Sequence, residues 1–423
     1  MILEFRGGVR PLSRTFCGKK DIEYYKSCSV SCIPASDSAS FSVPVGSSVM
    51  RGSLIGQTDS TPVYASIAGV FKGILEIEGT RYFTVMNSGE EGEERLFMPE
   101  SRSLTEMDAQ YIIDTARRFA IYDSRSGLPL WRLLEHALGC KRLVVDCTER
   151  DPASAIAYRL CIEKARSAVG GAKVLLHCIG ALKCVFAAEH YRNAAFAALE
   201  ECGGDEKLFA FGRLEERYPY SDRTLMDALY LKDLAKGETA IEKGVLIIGI
   251  EAAVALYDAM INGFPQLDRY VSVCGSGILE EKNLCVPRGI TVHDLATLCG
   301  GLLNGNFLVE NSLLCGSKAS GALGNATSCL VAVKPKKRQR VACIGCGSCA
   351  SACPMNLIPS EALSKKTKAL ALSCVACGAC EFVCPSNIPL LELIGCRDYK
   401  DKFLPEEPGN LRDSDDDAPE VLL

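Results

Sequence analysis

Eight cysteines in two short runs are the residues of this chain best placed to do chemistry. They stand in "CIGCGSCASACP" and "CVACGACEFVCP", as Cys343, Cys346, Cys349 and Cys353 before Pro354, and Cys374, Cys377, Cys380 and Cys384 before Pro385. Both runs read C-x2-C-x2-C-x3-C-P, in which three closely spaced thiolates wrap one face of a four-iron cubane and the fourth reaches the other cluster. Cluster one is therefore expected on Cys343, Cys346, Cys349 and Cys384, and cluster two on Cys374, Cys377, Cys380 and Cys353. Gly345, Gly347, Ser348, Ala376, Gly378 and Ala379 are small, which lets backbone N–H groups approach the sulfurs and helps set the potential. A pair of structural zinc sites fits less well, because zinc motifs offer cysteines in pairs separated by a longer loop. Two [4Fe–4S] clusters move single electrons; they bind no substrate and transfer no hydride.

The other titratable and soft side chains offer no rival centre. Of 23 cysteines, the fifteen outside the runs, Cys140, Cys147, Cys161, Cys178 and Cys299 among them, sit among apolar residues and read as inert core thiols. Such tolerance of free thiols suits a low-oxygen cytoplasm and anaerobic metabolism. Cys28 and Cys32 in "CSVSC" have redox-pair spacing, but no second pair stands at metal-site distance from them. His136, His177, His190 and His293 share no ligand spacing, and no catalytic residue is assigned.

The chain around the clusters is that of a multidomain globular protein, 423 residues long and 48% hydrophobic. A net charge of −5 gives no blanket basic field for nucleic acid. The most apolar run, "GVLIIGIEAAVALYDAMI" from Gly244, contains Glu251 and Asp258, so it reads as a buried strand entering a helix and no transmembrane segment is expected. The opening "MILEFRGGVRP" lacks an export pattern, which predicts a cytoplasmic protein.

Four units and a tail are expected. Within 1–95, β-branched runs separated by Gly46, Gly52, Gly56 and Gly69 predict a small all-β unit. It resembles the barrel-sandwich hybrid of biotinyl and lipoyl domains, but the hairpin tip "VYASIAG" carries no lysine, which leaves packing or docking as its role. Across 104–268, "RLVVDC", "KVLLHCIGA", "KLFAFG" and "GVLIIGI" read as strands with helices between them, a Rossmann-like parallel α/β domain. Such sheets bind ligands beyond the carboxyl ends of their strands through a glycine-rich turn, and none is evident here. Residues 269–333 read as a β-grasp, soluble-ligand-binding-like unit with a short helix starting near Thr291. Residues 334–400 form a two-cluster ferredoxin-like α domain, and 404–423 an acidic tail expected to be disordered.

This order of pieces resembles the RnfC family, the C subunits of the Rnf complex, the bacterial ion-translocating ferredoxin:NAD oxidoreductase. The resemblance runs through "FRGGVRP", "PVYASIAGVFKGI", "YDAMINGFPQLDRYVSVCG" and "CPSNIPLLELI". It implies a peripheral subunit on the inner face of the cell membrane, with an FMN and NADH domain ahead of two four-iron clusters. A relative sharing this fold serves the clostridial proline reductase system as an electron-transfer protein.

The departures from the family fall in its flavin domain. Where the family has a loop like G-x-G-G-A-x-F-P-T for the phosphates, this chain has "YDSRSGLPLW", Tyr122 to Trp131, keeping only Gly127 and Pro129. Ser124, Arg125 and Ser126 bring side chains where backbone N–H groups must face an anion, and Asp123 adds negative charge. The family's N-G-A-E-C-E-P appears as "DCTERDP" from Asp146, with Glu149 and Pro152 kept and Asp151 in place of glutamate. Its K-Y-P-Q-G-x-E becomes "RYPYSDR" from Arg217, and a flavin-facing asparagine becomes Gly249. The expectation is a retained sheet without FMN or NADH, hence an electron-transfer subunit that relays single electrons between a redox protein or reductase partner and an acceptor. Two alternatives stand beside it. In one, Arg125 contacts a phosphate and Glu149 and Asp151 orient a ribose or nicotinamide, giving a flavin-dependent NADH-oxidising subunit of a membrane-associated oxidoreductase. In the other, the chain is a redox-sensing scaffold. The basic run "KPKKRQR", Lys334 to Arg340, is a solvated linker or a means of steering an acidic partner.

Overall fold

The computed structural model describes residues 2–3, 7–10, 17–89, 91–95, 104–203, 207–220, 239–334, 339–364 and 367–395. The acidic tail and part of the basic run lie outside them. The fold is mixed α/β with several sheets and a C-terminal cysteine-rich unit of short helices.

The largest core forms around a five-stranded sheet in the order Ile2–Leu3, Phe209–Leu214, Lys183–Glu189, Arg142–Asp146, Val245–Gly249, every pairing parallel. Its central strands are near-continuous apolar runs, as expected where helices cover both faces. Helices Ala109–Arg118, Leu130–Ala137, Ile156–Glu163, Ala165–Ile179, Asn193–Gly203 and Ile250–Asn262 supply that cover. Asp108 caps the first, its carboxylate accepting from the Tyr111 N–H at 2.7 Å. Helices Ala165–Ile179 and Ile250–Asn262 pack closely at Gly171, where a Cβ would stand 1.9 Å from the Ala253 carbonyl oxygen.

One strand expectation is corrected. "KVLLHCIGA" is not a strand: Lys173 to Ile179 is the last part of helix Ala165–Ile179, closed by Gly180 at φ 70°. The strand is the following "KCVFAAE", Lys183–Glu189. A short apolar run has no period that separates strand from buried helix, and the preceding "ARSAVGGA" continues the helical face.

A second, mixed five-stranded sheet runs Phe307–Glu310, Cys329–Val333, Asp268–Cys274, Lys282–Pro287, Ile22–Tyr24. Helix Val292–Leu298 packs on it, with the Thr291 hydroxyl accepting from the Asp294 N–H at 3.0 Å. The remaining β structure is a four-stranded antiparallel sheet, Val30–Pro34, Thr80–Asn87, Gly69–Ile77, Ser48–Val49, facing a three-stranded one, Ser40–Phe41, Leu54–Thr58, Thr61–Tyr64. Ile33, Ile55, Phe71, Phe83 and Val85 fill the space between them. The lysine-free tip is buried there: the Ser66 hydroxyl donates to the Arg288 carbonyl at 2.7 Å, and Arg51 pairs with Asp268 at 2.6 Å.

The 1–95 unit is not self-contained. Ile2–Leu3 extends the parallel sheet and Ile22–Tyr24 the mixed one, because each adds an edge strand whose pairing partners lie far along the chain. No short-range pattern announces such pairings.

Candidate electron-transfer site

Each cysteine run makes the same backbone shape, a left-handed residue two before a left-handed glycine that opens a one-turn helix. The first has Gly345 at φ 68° and Gly347 at 75° before Ser348–Ser351; the second has Ala376 at 52° and Gly378 at 77° before Ala379–Phe382. These turns curl the chain so that successive cysteines point inward.

Cys343, Cys346, Cys349 and, from the other run, Cys384 line one cavity of about 100 Å³, walled by Ile344, Leu363, Ile388 and Leu390. Cys353 lies within electrostatic reach of Cys374, and Cys380 of both. Cys377 packs with Ala352, Val375 and Ala379 beside them. Among the described residues no three Cys, His, Asp or Glu side chains converge on a single metal ion. A lone zinc needs four sulfurs about 4 Å apart, whereas a cubane holds them around a void of its own size. Backbone N–H groups of Leu357 and Ala376 point at the sulfurs of Cys353 and Cys374, each at 3.4 Å. The Ser348 hydroxyl holds the Cys346 thiol below its ordinary range, while burial pushes Cys380 up to about 12.

The two sets differ in their surroundings. Cys343 and Cys346 are exposed. The second set is packed against the rest of the chain. Gly8 N–H donates to the Ala352 carbonyl at 2.9 Å, and a Cβ on Gly7 would stand 2.5 Å from the Cys353 oxygen. The Tyr218 hydroxyl donates to the Cys377 carbonyl at 2.8 Å, while the Ser312 hydroxyl, 3.1 Å away, donates to Tyr218. Cys315, exposed, sits 3.2 Å from the same phenol oxygen. Neither Gly7 nor Tyr218 stood out as a cluster neighbour in the sequence; the paired glycines of "FRGGVRP" were the only signal, since a close approach needs residues without a side chain.

The carboxyl ends of the parallel strands are closed by the protein's own side chains. Asp123, fully buried, accepts from the Gly249 N–H at 2.8 Å and from the Ser126 N–H and hydroxyl at 2.9 and 2.7 Å. Arg125 forms a buried ion pair with Asp146 at 2.8 Å, and Asp146 also accepts from Thr148 N–H and hydroxyl at 2.9 and 2.6 Å. Glu251 and Arg269 make a second buried pair at 2.7 Å. The space left among Ser124, Arg125, Asp146, Glu149 and Gly249 is about 40 Å³. Next to it Glu149 accepts from Tyr158 N–H at 2.9 Å and Ser154 hydroxyl at 2.7 Å, and burial raises it to about 7. Glu189 is raised by burial too, despite Arg192. Asp151 accepts from the Leu313 N–H at 2.8 Å, tying this edge to the segment that holds Tyr218. A larger cavity, about 800 Å³, lies among helices Ala109–Arg118, Ala165–Ile179 and Ile250–Asn262 and shares no lining residue with the space at the strand ends or with the cluster-one cavity.

Comparison with known proteins fits this layout. Residues 342–388 match the 4Fe-4S dicluster domain family and residues 125–258 the Nuo51 FMN-binding domain family. Over 317 residues the chain is 25% identical to the C subunit of the proton-translocating ferredoxin:NAD(+) oxidoreductase complex of Clostridium ljungdahlii, covering 71% of this chain and 69% of that one. Over 277 residues it is 22% identical to the C subunit of the Na(+)-translocating counterpart of Acetobacterium woodii, covering 61% of each. The chain is a relative of the RnfC proteins. To the C subunit of the ion-translocating oxidoreductase complex of Buchnera aphidicola it is 26% identical over 174 residues, 41% of this chain and 34% of the relative, so it spans a smaller part of some RnfC proteins. An air-oxidised NAD+-reducing [NiFe]-hydrogenase overlays at a TM-score of 0.48 and 15% identity, covering 63% of this chain and 53% of that one. With its own dicluster match over residues 342–388, the chain is an electron-transfer subunit that carries [4Fe–4S] clusters. No described helix is long and apolar enough to cross a membrane.

The residues at the strand ends do not fit the FMN that the matched family binds. A cofactor pocket occupies about 300–1,000 Å³ and offers donors to phosphate. Here about 40 Å³ remains, the Gly249 N–H is taken by Asp123, and the Arg125 guanidinium is committed to Asp146.

Proposed function

We propose that this RnfC relative is a one-electron relay with no flavin or NADH step of its own. Cluster one rests on Cys343, Cys346, Cys349 and Cys384, and cluster two on Cys374, Cys377, Cys380 and Cys353. The observation that carries the reading is the contrast between an open cavity ringed by four cysteines and a nucleotide edge closed by Asp123 and Arg125. With that edge closed, hydride-to-electron conversion belongs to another protein. Electrons pass at cluster one, whose Cys343 and Cys346 are exposed, and at cluster two, which nears the surface beside Leu313 and Cys315.

The units that hold the clusters are read as a barrel-sandwich hybrid within 1–95, a Rossmann-like scaffold over 104–268, a β-grasp unit over 269–333 and the two-cluster domain over 334–400. Partners are a redox protein or reductase and, by analogy with the relatives' complexes, a membrane assembly on whose cytoplasmic face this chain docks peripherally. Anaerobic reconstitution tests the reading: about eight iron atoms per chain, no retained flavin, and no bleaching of the clusters by NADH. Stoichiometric FMN with NADH-driven bleaching would sink it.

A further inference from the structure

The surface around cluster one has a composition of its own. Ile344 is 69% exposed and Leu363 42%, and both line the cluster-one cavity. Val341, 49% exposed, is held beside them by its N–H, which donates to the Ser386 carbonyl at 3.1 Å, two residues from Cys384. Ile358, 50% exposed, precedes the 3-10 turn Pro359–Ser364 that carries Leu363. Four exposed branched aliphatics in one neighbourhood mark an interaction surface.

The stretch that carries it is basic in sequence: residues 334–395 hold eight Lys or Arg and three Asp or Glu, a net of +5 in a chain whose total is −5. Lys334 and Arg340 lead into the first cysteine run, and Lys368 follows Leu363; all three are exposed. Of the acids, Glu381 accepts from the Leu391 N–H at 3.2 Å, Glu392 lies in helix Leu390–Ile394, and Glu361 stands between the lining residues Ser360 and Leu363.

Resting on the relay reading above, we propose that this face is the docking surface for an acidic one-electron carrier protein. The apolar centre brings the carrier's own redox centre close and excludes water from the gap. The basic rim raises the encounter rate and orients the approach without making a long-lived complex, the pattern of small electron-transfer interfaces. A basic or neutral carrier gains nothing from the rim.

The test uses the reconstituted full chain. Stopped-flow bleaching is followed with a reduced, net-negative bacterial ferredoxin as carrier and with dithionite as a small reductant. The carrier's second-order rate is expected to fall about tenfold or more between low salt and 0.5 M NaCl, within the range of electrostatic steering. Arg340→Glu with Lys368→Glu lowers it at low salt, and Ile358→Ser lowers it at every salt concentration. All variants keep their iron and their dithionite rate. A carrier rate indifferent to salt and to these charges, or one matched by a basic carrier, overturns the docking surface while leaving the relay standing. Clusters that dithionite cannot bleach overturn both.

Discussion

The Tyr218 hydroxyl donates to the backbone carbonyl of Cys377 at 2.8 Å, joining the end of the parallel-sheet unit to the second cysteine run. Tyr218 is buried, its backbone pairs in both directions with Val9, and its hydroxyl accepts from Ser312. Burial raises its pKa well above the ordinary tyrosine value, so it stays a donor at any working pH. Tyr218→Phe removes this donor and strands the Ser312 hydroxyl, a loss of about 1–3 kcal/mol. Denaturant unfolding of the holo chain is expected to show it, and the electron paramagnetic signal of cluster two to broaden while that of cluster one is unchanged. An unaltered cluster-two signal would mean that the contact only packs.

Crossed ligation predicts where each cysteine substitution acts. Cys384 belongs by sequence to the second run but lines the cavity of Cys343, Cys346 and Cys349. Cys384→Ser should therefore cost cluster one, lowering iron by about half and leaving the cluster-two spectrum intact. Cys353→Ser should do the reverse, since Cys353 lies within electrostatic reach of Cys374. Loss of the cluster that matches each residue's own run would mean that the ligation is not crossed.

The closed strand edge carries a pH signature. Burial raises Glu149 from an ordinary 4.5 to about 7, and Glu189 and Asp151 move in the same direction for the same reason. The folded chain thus holds protons that the unfolded chain has released. The stabilisation is complete below about pH 4.5 and is lost as pH rises through 7, on the order of 3 kcal/mol for Glu149. Urea midpoints of the holo chain should fall from pH 5.5 to pH 8, and Glu149→Gln, which keeps an acceptor for Tyr158, should flatten the slope. An unchanged slope in that variant would assign the pH dependence to other groups.

The parts of this architecture that were legible in the sequence are those set by local spacing. The cysteine intervals state the cluster chemistry outright, and the side chains of Ser124, Arg125 and Ser126 with the negative charge of Asp123 already argue against a phosphate. What they do instead was not legible: Asp123 reaches Gly249, and Arg125 reaches Asp146, across contacts distant in sequence. The same holds for Ile2–Leu3 and Gly7, which act through partners more than 200 residues away. "KVLLHCIGA" shows the opposite limit, a local run whose apolar content fits strand and buried helix equally.

Gly347 and Gly378 occupy equivalent turns, at φ 75° and 77°, and differ in what surrounds them. A Cβ on Gly347 meets nothing within 4 Å; on Gly378 it would lie 2.2 Å from the Leu314 carbonyl oxygen. Alanine at either position incurs the left-handed backbone cost, about 1–2 kcal/mol. Only Gly378→Ala must also push back the 312–315 segment, which carries Ser312 and Cys315 against Tyr218 and is anchored by Asp151 to the parallel sheet. The difference between the two variants therefore isolates the docking of cluster two. Gly378→Ala is expected to lower the unfolding midpoint more than Gly347→Ala and to speed proteolytic cleavage near Leu313, with both variants still binding iron. Equal effects would show that cluster two does not depend on that contact for its place.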